Sequence, residues 1–171
     1  MTPEKRNLID DIAVTLRSAM DIDSEDFDIA GTVADIGGKI EYLDGLLSEE
    51  CVVKTADNGF CIRINRKHPA TRQRFAIARE LGHLFMHMKY GYDEWAQVRP
   101  GEKDLWAPGS HMNLAEEANE FAAAFLMPAD GFINMAKETS DGTYFYPGKI
   151  AERYNVYQDA VVYRGKMLGL W

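Results

Sequence analysis

The sequence predicts an α+β domain in which a small sheet packs against helices. Two strong helical runs, residues 71–89 and 114–127, and three short alternating segments between 39 and 65 predict it. With 171 residues, 46% of them apolar, the chain is long enough for one domain with a continuous core.

The elements follow in order. Residues 4–20 place Leu8, Ile12 and Leu16 at helical spacing, which predicts an amphipathic first helix. Residues 21–28 are acidic and read as a solvated connector. Residues 27–37 read as a second helix stopped by Gly37-Gly38. Segments 39–43, 52–55 and 60–65 read as strands of a mostly antiparallel sheet, the last two joined by a hairpin turning at Asn58-Gly59. Pro69 breaks the chain, and Thr71 can cap the helix expected over 71–89. Residues 90–113 carry Gly91, Pro100, Gly101, Pro108 and Gly109 and read as a long irregular loop. The helix over 114–127 is stopped by Pro128, and a shorter segment follows at 130–138. The tail, 147–171, reads as two helices broken at Asn155-Val156. One domain is expected: an N-terminal helix and connector (1–27), a core (28–138) and a C-terminal helical pair (144–171).

Composition bounds the function. A net charge of −8 is a poor match for a stand-alone nucleic-acid binder, because phosphate contacts need clustered Lys and Arg. The tail resembles a helix-turn-helix, but 144–171 holds only Lys149, Arg153, Arg164 and Lys166 against Glu152 and Asp159. That composition favours a pair docked on the core over a DNA reader using Arg164 and Lys166. No apolar run reaches the roughly 18 residues that span a bilayer, and the first residues lack the apolar stretch of a secretory leader. A cytoplasmic protein is expected. On the expected hairpin Cys61 faces Ala56, and Cys51 lies beyond its partner, so two reduced thiols are expected rather than a disulfide.

The chemistry concentrates on the 71–89 helix, which reads RQRFAIARELGHLFMH from Arg72 to His87. At about 100° per residue, positions 79, 80, 83 and 87 share one quadrant. In an H-E-x-x-H helix such an arc lets two imidazoles grip zinc while the glutamate takes a proton from bound water. Here RFAIARELGH and the later AEEANEFAAAFLMP resemble the two motifs of the ImmA/IrrE family of metallopeptidase-like proteins, R-F-T-x-A-H-E-x-G-H and E-x-x-A-N-x-F-A-x-x-L-L-M-P. The strand CIRIN and the tail extend the resemblance over roughly residues 28–170.

The resemblance implies a zincin-like fold with a degenerate metal site. It puts the first zinc histidine at Arg79, the general base at Glu80, the second histidine at His83 and the third ligand at Ala115. Guanidinium has no lone pair to give. At about 4 Å and an effective dielectric of about 20 it repels a divalent ion by roughly 8 kcal/mol, much of the ~10–16 kcal/mol of a good zinc site. No metal is therefore expected, and Glu80 becomes a vestigial base. Arg79 is expected to fill the metal position and pair with Glu80, Glu116 or Glu117. The resemblance implies that zinc returns only when Arg79→His and Ala115→Glu are combined.

Family members are often encoded beside XRE-type helix-turn-helix repressors in prophages, mobile elements, stress-response loci or toxin–antitoxin pairs. The reading that follows is a pseudo-peptidase that binds a protein partner such as that repressor. Two alternatives stay open. One is an active zinc peptidase with a shifted site of His83, His87 and a carboxylate, Glu80 or Glu116, or of His111. The other is a DNA-binding regulator acting through the C-terminal pair.

Overall fold

A computed structural model describes residues 1–44, 50–101, 111–142 and 144–171. The side chains of His111 and Met112 are outside the described residues, as are 102–110 of the expected long loop.

Helix α1 (Pro3–Ala19) starts where Thr2 accepts a hydrogen bond from the Lys5 amide and Pro3 takes the first helical position. It buries Ile9, Ala13 and Arg17, whereas Leu8 is 58% exposed. The face is thus turned by one residue from the expected Leu8, Ile12 and Leu16 stripe. Polar anchors explain the turn: Arg17 donates to the Phe125 carbonyl at 2.8 Å, and Asp10 meets Arg164. The acidic connector is less free than expected. Arg17 and Arg74 hold its carbonyls at Ser24 and Phe27, and Phe27 is buried. Asp28 then caps α2 (Ile29–Asp35) through the Ala30 amide.

The sheet has the order β1 (Gly38–Leu43), β3 (Phe60–Asn65), β2 (Cys51–Lys54). β1 runs parallel to β3 and β2 antiparallel to it, so the sheet is mixed rather than mostly antiparallel. The chain leaves β1, reaches the far edge at β2, and returns between the two. The hairpin register also corrects the expectation: Val53, not Ala56, faces Cys61, and Cys51 faces Arg63. The turn is wider because Asp57 accepts from both the Thr55 hydroxyl and the Gly59 amide, closing a loop from Thr55 to Gly59. Both thiols are buried, and they are not joined in a disulfide.

Helix α3 (Ala70–Gly82) lies on the sheet and crosses α4 (His111–Leu126). Gly82 permits the close crossing, since a Cβ there would sit 3.0 Å from the Phe121 ring. Phe121, Phe125, Leu126, Leu81 and Leu84 form the centre of the core, each 0% exposed. Pro128 ends α4 and opens α5 (Ala129–Thr139). α6 (Pro147–Tyr154) stops at Asn155, which takes the left-handed conformation, and α7 (Gln158–Met167) follows. Arg164 on α7 is 1% exposed, bonded to Asp10 and to the Met127 carbonyl. It holds α7 against α1 and α4 and does not face solvent. No described helix is long and apolar enough to cross a membrane.

Candidate functional site

The site lies where α3 runs out against α4. The expected helix over 71–89 does not stay regular: after Gly82 the chain widens into a π-helical turn, His83–His87, with the Met88 amide bonded to the His83 carbonyl five residues back. The change of pitch sets His87 over His83. Their Nδ1 atoms lie 3.0 Å apart, and the Nε2 of His87 lies 3.4 Å from Oε2 of Glu117 on α4. Lys5 of α1 pairs with the other oxygen of Glu117.

Arg79 sits one turn before His83. Its Nε and Nη2 donate to Oε1 of Glu80 at 3.1 and 2.9 Å, and Nη2 also donates to Oε2 of Glu50 at 3.1 Å. Burial disfavours this charge, yet Glu80 and Glu50 more than offset it and hold the guanidinium pKa above its ordinary value. Glu80 is 2% exposed, so its carboxylate needs this partner. Glu50 also accepts from the Asn65 amide and lies 3.7 Å from His68.

The structure brings Arg79 and Glu80 together, but not with the other expected carboxylates. Glu116 lies 3.6 Å from the amino group of Met1, and Glu117 serves Lys5 and His87. Glu50 takes the place expected for them. It lies just ahead of β2, far from either motif, and no spacing in the sequence points to it. Ala115 is also corrected. It is exposed, and the α4 side chain that meets His87 is Glu117, two residues on.

These residues do not fit the zinc ion that the resemblance implies. Position 79 offers a cation, Glu80 and Glu50 are its counter-ions, and His87 meets His83 and Glu117 on opposite edges of its ring. Among the described residues no three His, Cys, Asp or Glu side chains converge to hold a metal.

A family profile described as the IrrE N-terminal-like domain matches residues 25–166. The chain belongs to the ImmA/IrrE family. No curated protein matches it. Set on this IrrE-like fold, α1 precedes the matched segment and still contributes Lys5 to the site.

His83 carries a consequence for stability. Burial, then the neighbouring His87 and Arg79, push its pKa down to about 3. A depressed value means that stability is full above the unfolded-state pKa of about 6.5 and is lost as pH falls toward 3. Between pH 7 and pH 5, in EDTA, this site should remove about 2 kcal/mol, at about 1.4 kcal/mol per shifted unit. Urea denaturation at the two pH values measures it, with His83→Gln as control. An equal loss in the variant would assign the effect elsewhere.

Proposed function

We propose that this chain is a catalytically silent member of its family that keeps the peptidase-like scaffold to bind another protein. One observation carries the reading: the guanidinium of Arg79, clamped by Glu80 and Glu50, stands on the turn where the family's first zinc ligand belongs. A general base needs a free carboxylate beside a metal-bound water. Glu80 instead spends Oε1 on two charged hydrogen bonds.

The partner proposed is an XRE-type repressor, as the resemblance implies, in a prophage, mobile-element, stress-response or toxin–antitoxin setting. The net charge of −8 supports a basic partner such as a DNA-binding protein, through steering and complementarity. Direct DNA reading is less well supported, because Arg164 is committed to Asp10.

The test is to incubate the purified protein, with added zinc, with XRE-type repressors from its own genome. The expected result is a saturable complex, read by calorimetry, with the repressor intact by mass spectrometry. A shortened repressor would show a working peptidase, and absence of any complex would remove the repressor as partner.

A further inference from the structure

We propose that the cavity beside the acidic connector binds an alkylguanidinium cation, the side chain of arginine, through Asp26 and Asp28. The cavity measures about 360 Å³, within the range of small-molecule pockets. The connector, the start of α2, Tyr42 of β1 and the α6–α7 turn close around it. Ala70, Gln73, Arg74 and Ile77 line it from α3, at the spacing of one helix face. At about 100° per residue Arg79 falls on the other side of that helix. The site is therefore separate from the Arg79 clamp and does not depend on the choice of protein partner.

The polar groups left unspent around the cavity are mostly acceptors. Gln73 donates through Nε2 to the carbonyls of Arg66 and His68, at 3.0 and 2.7 Å, which leaves its Oε1. Asn155 donates through Nδ2 to Oδ1 of Asp26 at 3.0 Å, which leaves its own Oδ1 and Oδ2 of Asp26. Asp28 gives Oδ1 to the Ala30 amide as the cap of α2, and its Oδ2 accepts nothing among the described residues. A ligand that meets these oxygens must bring several N–H donors.

Charge selects the same ligand. Asp26 and Asp28 stand against one cation, Arg74, whose Nη1 and Nη2 are spent on the carbonyls of Phe27 and Glu25. One negative charge is left over, which suits a monovalent cation. A guanidinium spreads five N–H groups in one plane and can reach acceptors on several elements, whereas an ammonium has three. Phe27, Ile29 and Ile77, each at most 9% exposed, supply apolar surface for the alkyl stem. Tyr42 adds an aromatic ring, on which a guanidinium can stack.

A buried donor in the cavity wall points the same way. Arg74 is 7% exposed, and its Nε is buried with no acceptor among the described residues. An unpaired buried donor is costly, and a ligand that carries a carbonyl beside its cation can satisfy it. An arginine residue carries both.

The test titrates Nα-acetyl-argininamide into the full chain. Nitrogen-15 spectra are read at the side-chain amides of Gln73 and Asn155 and the backbone amides of Ile29 and Ala30. The expected result is saturable one-to-one binding at these signals. Combining Asp26→Asn with Asp28→Asn should weaken it at least ~10-fold, since each lost carboxylate removes a charged hydrogen bond. Both changes keep an acceptor for Asn155 and a cap for α2. The lysine analogue should bind more weakly, and the uncharged norleucine analogue should not bind. Free L-arginine separates the two sources of the group: binding as tight as the blocked form or tighter assigns the site to the free amino acid, and weaker binding assigns it to an arginine within a protein chain. Should the double variant fail to fold, the lysine and norleucine comparisons still decide. Absence of a saturable shift, equal binding of either analogue, or unchanged affinity in the double variant would overturn the proposal.

Discussion

Replacing Arg79 with histidine is expected to convert this protein into a tight zinc binder. The change removes a permanent cation, whose repulsion of a divalent ion is roughly 8 kcal/mol at 4 Å and an effective dielectric of about 20. It also supplies a neutral nitrogen one turn before His83, on the face that the two positions share. Glu80 and Glu50 lose Arg79 as a counter-ion, which makes the site more negative and more attractive to a cation. The third ligand is expected from Glu117, which reaches His87 from α4 and can turn toward His83, whereas Ala115 is exposed. Arg79→His alone should therefore hold zinc through dialysis, at least ~100-fold more tightly than the unmodified protein, a difference of about 2.7 kcal/mol or more. Elemental analysis after dialysis gives the stoichiometry. Adding Glu117→Ala should abolish the gain, and adding Ala115→Glu should not improve it. If zinc stays only when Ala115→Glu is present, the assignment of Glu117 is wrong.

That contrast shows how far the sequence could be read. The helices over 71–89 and 114–127 were legible because apolar residues at helical spacing must be buried together, and Pro128 cannot continue a helix. Arg79, Glu80 and His83 were legible because they sit in one motif on one helix. Ala115 was misplaced because a motif register fixes sequence positions but not which face of α4 looks into the cleft. Glu50 and Lys5 were invisible for a different reason: each reaches the site from a remote segment, and neither belongs to a pattern. The π turn leaves no compositional mark in HLFMH. The sheet was misjudged at its connections. Alternation reveals strands, but not that the return strand inserts between the other two and so runs parallel to β1.

The second large effect concerns Arg164, which the sequence offered as a DNA contact. The buried face of α7 was partly legible, since Ala160 and Arg164 are four residues apart and both are buried beside Val161. A lone arginine among apolar neighbours signals a buried ion pair as readily as a surface one. Here it makes a two-pronged bond to Asp10 at 2.9 and 2.8 Å and another to the Met127 carbonyl, and it lies 3.7 Å from Glu120. Glu120 is 0% exposed, its pKa is raised by burial, and its other supports are Tyr163 and Arg6. Removing Arg164 would strand that carboxylate and free α1 and α7 from their common anchor. Arg164→Ala should therefore cost about 3–5 kcal/mol in urea denaturation, the usual penalty for breaking one side of a buried pair. Lys166→Ala, on an exposed position, should change stability by less than ~0.5 kcal/mol. Pairing Arg164→Met with Glu120→Gln should recover part of the loss, because the orphaned charge is then gone. A loss below ~1 kcal/mol for Arg164→Ala, the range of a surface ion pair, would mean that Arg164 is not an internal strut and would return the C-terminal pair to consideration as a nucleic-acid surface.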